Sequence, residues 1–97
     1  MFEQAIAQKP DFAEAWVNKG ATLMELGRSE EAIEAFDQAI ALNENLPEAW
    51  SNRGKALWQL RRFEEGLASV DRALKIQPDS PAALKLQQQM RQRLGGS

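Results

Sequence analysis

Apolar residues recur along the chain at the three- and four-residue spacing of amphipathic helices. No segment alternates with the two-residue period of a strand. We therefore predict an all-α protein. The spacing places six helices at about residues 1–9, 13–26, 29–42, 47–60, 63–76 and 81–94.

Turn and cap residues separate the predicted helices. Asp11, Asn45 and Asp79 recur 34 residues apart, each just before a predicted helix, where Asp and Asn side chains accept hydrogen bonds from free backbone N–H groups. Gly27 is placed to end the helix at 13–26, because glycine readily adopts the left-handed conformation that follows many helices. Ser29 is placed to cap the next helix.

The same 34-residue period runs through most of the sequence. Residues 13–46 and 47–80 align without gaps and are identical at 12 of 34 positions, and residues 2–12 align with 36–46 at the same offset. Self-similarity at this period is the signature of a helical repeat array. We divide the chain into the second helix of a preceding partial repeat (1–12), two full repeats (13–46 and 47–80), a C-terminal capping helix (81–94) and a flexible tail or cloning remnant (95–97).

Residue size predicts how the two helices of a repeat pack. Small residues on the facing stripes let two backbones approach closely while larger ones fill the space beside them. One such pair cannot cover its own apolar face, so neighbouring pairs must stack. In the second repeat, Gly66 and Val70 replace an alanine and a phenylalanine, which predicts looser packing there. The first-repeat stripes consist of Ala15, Trp16, Gly20, Leu23 and Leu26, facing Ala32, Ala35, Phe36, Ala39 and Ile40.

These residues resemble the tetratricopeptide repeat family. The family pattern is a tryptophan, a leucine–glycine pair and a bulky residue, followed by an alanine, an aromatic residue and a proline. It is met by Trp16, Gly20, Leu23, Ala32, Phe36 and Ala39. The resemblance implies a right-handed superhelical stack of antiparallel helix pairs, an α-solenoid. Lys19 and Arg53 depart from the pattern, and Gln88 stands where the earlier repeats have glycine, so residues 81–94 are predicted to cap the stack.

The resemblance also implies a function and a surface for it. The first helix of each repeat lines a concave face that binds an extended or helical peptide. Carried over position by position, with Glu14 and Glu48 at its edge, the predicted peptide-binding set is Val17, Asn18, Ala21, Met24, Glu25, Ser51, Asn52, Lys55, Trp58, Gln59, Lys85 and Gln89.

Single positions on this surface allow two interpretations. Trp58 is either an anchor for a ligand side chain or a filler between helices. Asn18 and Asn52 either grip a ligand backbone or are simply common at this family position. One subfamily holds chaperone C-termini through a clamp of charged and amide side chains. Asn52 matches that clamp, but its other positions are occupied by apolar residues, namely Val17, Ala21, Ala82 and Leu86. This disfavours chaperone C-termini as ligands.

Composition narrows the alternatives. The chain has no cysteine and no histidine, a net charge of −2 and no basic run, which disfavours metal sites, cofactors and nucleic acid. It has no nucleophile–base set, so we expect no enzyme. No apolar stretch is long enough to cross a membrane and no signal segment begins the chain, so the expected location is cytoplasmic.

Two other functions remain open at this stage. Phe2 and Ile6 lack a first-helix partner, so the chain could be a self-association element that docks head to tail into a homo-oligomer. It could equally be a scaffold segment, natural or engineered, that has no ligand of its own.

Overall fold

The computed structural model describes residues 10–95, and within them it forms five α-helices and no strand. These five helices confirm the all-α prediction. The sixth predicted helix, at 1–9, lies outside the described residues. The five helices are α1 (Pro10–Glu25), α2 (Ser29–Leu42), α3 (Pro47–Gln59), α4 (Phe63–Ile76) and α5 (Pro81–Gly95).

The helix starts differ from the predicted capping scheme. Asp11 lies inside α1, which begins one residue earlier. No side chain caps α3, and the Asn45 backbone N–H instead donates to Asn43 Oδ1 at 3.0 Å. At α5 the cap is Ser80, whose Oγ accepts from the Ala83 N–H at 3.3 Å, and not Asp79. The proline that opens α3 or α5 favours the helix start, because its fixed φ is already helical and its missing N–H has no partner to lose.

Two equivalent turns end the first helix of each repeat. After α1, Gly27 adopts φ +79°, its N–H donates to Met24 O at 2.9 Å, and the next N–H donates to Leu23 O at 2.8 Å. This confirms Gly27 as the terminator of α1. After α3 the same turn is made by Arg61 at φ +66°, a conformation that disfavours residues with a Cβ.

Each helix packs against its neighbours in sequence, and the first helices of successive repeats also touch. Thus α1 contacts α3, and α3 contacts α5, whereas α2 and α4 do not meet. The first helices α1, α3 and α5 therefore form one row along the stack, and we call the surface of this row the inner surface. That this surface is concave stays a prediction.

Within each repeat a glycine sets the distance between helices. A Cβ built at Gly20 would lie 2.5 Å from the Phe36 ring, and one built at Gly54 would lie 2.6 Å from Val70 Cγ2. In the second repeat the backbones themselves approach, since a Cβ at Gly66 would lie 2.8 Å from the Gly54 carbonyl oxygen. The prediction of looser packing in this repeat is wrong, because the smaller side chains bring the helices together without leaving a gap.

The core runs along these helix contacts in two clusters. The first joins α1, α2 and α3 around Phe36 and Leu57, and the second joins α4 and α5 around Val70 and Met90. All four of these side chains are at most 1% exposed. Two residues of the predicted stripe lie outside the core. Ala15 is exposed, and Leu26 is exposed because it follows the last helical residue of α1.

Two side-chain links recur between one repeat and the next. At one end of the interface Arg53 Nε donates to Asp37 Oδ1 at 2.7 Å, and 34 residues later Gln87 Nε2 donates to Asp71 Oδ1 at 2.7 Å. At the other end Ser29 Oγ donates to Gln59 Oε1 at 2.8 Å. The equivalent pair in the next interface is the Arg93 guanidinium, 5.3 Å from the ring centroid of Phe63. The two links therefore recur at equivalent positions of both interfaces, but the chemical nature of the contact differs between the interfaces.

Candidate functional site

A small groove lies between α1 and α3 on the inner side of the stack. It contains a cavity of about 210 Å³, here called the groove cavity. Six residues line it, all from the set predicted for peptide binding: Ala21, Met24, Glu25, Asn52, Lys55 and Gln59. The helical period explains this meeting, because the residues come from matching turns of two first helices that pack side by side.

Six of the twelve predicted residues lie outside the groove cavity, and all of these except Val17 are exposed or half-buried. Asn18 is exposed on α1, and Ser51 is half-buried on α3. Lys85 and Gln89 are exposed on α5, which contacts α3 but not α1. A role of these four residues in peptide binding stays a prediction.

Val17 requires a correction. Its side chain is only 5% exposed and belongs to the core cluster that contains Phe36 and Leu57. A buried valine cannot contact a ligand at the surface, so Val17 stabilises the helix pair and is not part of the lining. The sequence pattern did not reveal this, because the position sits at the border between the apolar stripe and the inner face.

Trp58 is half-buried and packs within the protein. Its ring lies edge-on to Phe63 with ring centroids 4.4 Å apart and planes at 64°, and it also packs against the cluster of Val70, Ala73, Ala83 and Met90. These contacts give it a structural role between α3, α4 and α5. A second role toward a ligand stays a prediction.

The polar groups of the groove cavity are available to a ligand. The half-buried Asn52 amide makes no hydrogen bond within residues 10–95. Glu25 and Lys55 take part in none of the ion pairs in this part of the chain, all of which lie elsewhere. Gln59 uses its Oε1 to accept from Ser29, which leaves the Nε2 amide hydrogens as donors.

The outer surface carries two larger depressions that the sequence reasoning missed. One, of about 680 Å³, is lined by Trp16 and Lys19 of α1 and by residues of α2, and the other, of about 480 Å³, repeats it 34 residues later around Trp50 and Arg53. Trp16 was predicted to lie on the packing stripe of its helix, and Trp50 is the equivalent residue 34 positions later. Each packs against a core cluster but is only half-buried. A basic residue three positions after each tryptophan was the available signal.

Cations lie against these tryptophan rings. Lys19 Nζ is 5.1 Å from the Trp16 centroid, and the Arg72 guanidinium is 5.1 Å from that of Trp50. Trp50 Nε1 donates to the Glu44 carbonyl at 2.9 Å. The partners of these rings are thus supplied from within the chain.

One ion pair at the start of α4 shifts the pKa of both its members. Arg62 donates to both Glu65 oxygens, at 2.7 and 3.1 Å, and this hydrogen bonding holds the pKa of Glu65 below its usual value and raises the pKa of Arg62. Glu65 borders the outer depression around Trp50 and not the groove cavity.

Two kinds of site are absent from residues 10–95. No group of three or more acidic residues is placed to hold a metal ion there. None of the helices in this range is long and apolar enough to cross a bilayer.

Helix pairs stacked at a 34-residue period, with an inner groove formed by their first helices, define an α-solenoid repeat protein. The sequence profile of the tetratricopeptide repeat family matches residues 1–47 and 20–81, and the chain belongs to this family. No curated protein is significantly similar to it in sequence.

Several solved structures share the fold. The first TPR domain of Spaghetti (RPAP3), bound to the HSP90 peptide SRMEEVD, is 26% identical over 89% of this chain and 68% of its own, with a TM-score of 0.82. The second TPR domain of Spaghetti, bound to the same peptide, is 22% identical over 94% and 84%, with a TM-score of 0.87. The Arabidopsis OM64 TPR domain is 25% identical over 82% and 66%, with a TM-score of 0.79.

Proposed function

We propose that this chain is a protein–protein interaction module that binds a segment of another polypeptide along the inner surface formed by α1, α3 and α5. It binds without catalysing a reaction on that segment. The observation that carries the proposal is the groove cavity, in which six predicted residues meet with unused polar groups. The peptide bound to the similar first TPR domain of Spaghetti supports it.

The proposed ligand is a peptide segment because the lining combines apolar surface with amides. Met24 and Ala21 offer half-buried apolar contact, and Asn52 offers both a donor and an acceptor, as a peptide backbone requires. The corrected contact surface consists of Asn18, Ala21, Met24, Glu25, Ser51, Asn52, Lys55, Trp58, Gln59, Lys85 and Gln89.

Chaperone C-termini remain disfavoured as the ligand. A terminal carboxylate needs several converging donors, and the groove cavity supplies one cation, Lys55, opposite one anion, Glu25. Two of the other clamp positions are filled by the buried Val17 and the half-buried Leu86. The carboxylate therefore lacks its partners here.

The test replaces Asn52, which is half-buried and makes no hydrogen bond within residues 10–95. Peptides are first selected on the chain from a displayed random library. Asn52→Ala is expected to weaken binding of a selected peptide about fivefold to tenfold, as the loss of one or two hydrogen bonds implies. Titration calorimetry measures the affinity, and circular dichroism checks that helix content is unchanged.

Asn45→Ala is the matched control, because Asn45 lies exposed in the turn between α2 and α3, away from the groove cavity. It should bind like the unchanged chain. Equal binding by both variants and the parent, or the absence of any selected peptide, means that the inner surface is not the binding site.

Self-association stays an alternative prediction. Its proposed face, Phe2 and Ile6, lies outside the described residues. Light scattering across a wide concentration range tests it, since a constant mass near 10.9 kDa excludes a homo-oligomer.

A further inference from the structure

The groove cavity holds two opposite charges that do not pair with each other. Glu25 of α1 and Lys55 of α3 both line it, yet neither belongs to any ion pair within residues 10–95. Arg53 and Asp37, by contrast, are joined at 2.7 Å. The cavity therefore presents one charged acceptor and one charged donor that are not joined to each other.

A third polar group in the cavity is oriented by the fold. The Ser29 hydroxyl, only 7% exposed, donates to Gln59 Oε1 at 2.8 Å. Because its oxygen is engaged, Gln59 offers the cavity its Nε2 hydrogens. The donors are then Lys55 and Gln59, and the acceptor is Glu25, with the Asn52 amide able to serve as either.

The rest of the lining is apolar and small. Met24 and Ala21 are half-buried and carry no charge. A volume of about 210 Å³ suits a single side chain of middle size rather than a whole turn of helix. An occupant therefore has a short aliphatic stem and one polar end that both donates and accepts.

We infer that the groove cavity receives one carboxamide side chain, glutamine or asparagine, from the bound polypeptide. This inference rests on the proposed function. The ligand NH₂ donates to the Glu25 carboxylate, its carbonyl oxygen accepts from Lys55 and Gln59, and its stem lies against Met24. Both charges of the cavity are then satisfied by a single neutral group.

Other side chains fit less well for electrostatic reasons. A ligand carboxylate would meet Glu25, and a ligand ammonium would meet Lys55, so either charge faces a like charge in the same cavity. An apolar side chain would desolvate both charges without giving either a partner. A carboxamide avoids all of these costs, because it is neutral and carries two donor hydrogens and an acceptor oxygen on one planar group.

The experiment is a positional scan of a library-selected peptide. Each position in turn carries Gln, Glu, Lys or Leu, and affinities are measured by fluorescence anisotropy. At one position we expect Gln to bind about tenfold more tightly than the other three, as one charge-assisted hydrogen bond implies. Glu25→Lys should reverse the preference at that position to Glu, because the cavity then contains two cations.

Glu34→Lys makes the same charge change at an exposed residue beside the outer depression around Trp16, and should leave the preference unchanged. A preference for Glu, Lys or Leu in the parent chain overturns the inference, as does a Gln preference that Glu25→Lys does not move. In both cases sensitivity to Asn52→Ala would show that the proposed function still stands. A binding affinity that Asn52→Ala does not change contradicts both the proposed binding site and the carboxamide inference.

Discussion

The two full repeats, residues 13–46 and 47–80, hold their helix pairs together with side chains of different size. In the first repeat the Phe36 ring fills the space above Gly20. In the second, Val70 is smaller, and Gly54 and Gly66 let the two backbones come into contact. Phe36 and Val70 are both fully buried, so neither arrangement leaves its central side chain partly exposed.

The comparison teaches that helix spacing in this stack follows the side chains. In the second repeat the smaller residue comes with a backbone approach so close that a Cβ at Gly66 would lie 2.8 Å from a carbonyl oxygen, in line with the near-crystalline packing density of protein interiors. The period of 34 residues is preserved because only the spacing changes and not the order of the elements.

The strongest way to break the comparison is to empty the two central positions. Phe36→Ala should lower the free energy of unfolding by about 3–5 kcal/mol. Val70→Ala should lower it by about 2 kcal/mol, because valine loses fewer buried carbons and leaves a smaller cavity. Urea unfolding followed by circular dichroism measures both. Equal decreases in the free energy of unfolding would contradict the interpretation that Phe36 contributes more to its repeat than Val70 does.

A smaller effect tests the backbone contact of the second repeat. Gly66→Ala places a Cβ 2.8 Å from the Gly54 carbonyl oxygen. We expect a net loss of about 1 kcal/mol, because overpacking outweighs the gain of about 1 kcal/mol that alanine brings inside a helix.

The matched exchange in the first repeat is Ala32→Gly, which should also destabilise by about 1 kcal/mol through lost helix propensity. A stabilised Gly66→Ala variant would contradict the close approach of α3 and α4. It would restore the interpretation that the second repeat is loosely packed.

The smallest effect concerns the turns that end α1 and α3. Arg61 occupies a left-handed conformation that Gly27 occupies in the first repeat. Arg61→Gly should raise the free energy of unfolding by about 0.5–1 kcal/mol, and Gly27→Ala should lower it by about 1 kcal/mol. Differential scanning calorimetry provides the measurement.

These changes at the turns isolate backbone conformation, because nothing lies within 4 Å of a Cβ built at Gly27. Side-chain packing therefore contributes little to the Gly27→Ala result. A shift of the same sign in both variants would mean that the two turns are not equivalent.

Much of the inner surface was predictable because it depends on position alone. The groove cavity joins Met24 and Glu25 to Asn52, Lys55 and Gln59, all of which the family resemblance had assigned to one face. Residues at matching turns of neighbouring parallel helices must lie side by side once the helices stack. The clustering of these residues thus follows from the period.

The misses concern residues near a boundary. Val17 was assigned to the surface and is buried. Trp16 was assigned to the packing stripe and does pack against the core, although its side chain is only half-buried. A helix rotated by a few degrees moves such residues from one side of the interface to the other. Periodicity does not resolve rotation this small.

The sequence by itself determined the all-α class, the positions of the described helices and the 34-residue period. Local spacing and turn residues carry that information because each acts within a few residues along the chain. The tertiary structure decided the close approach of the helices, the link from Ser29 to Gln59 and the meeting of Glu25 and Lys55 in one cavity without an ion pair. Those features depend on how several side chains fill one shared space, and no single stretch of sequence specifies that outcome.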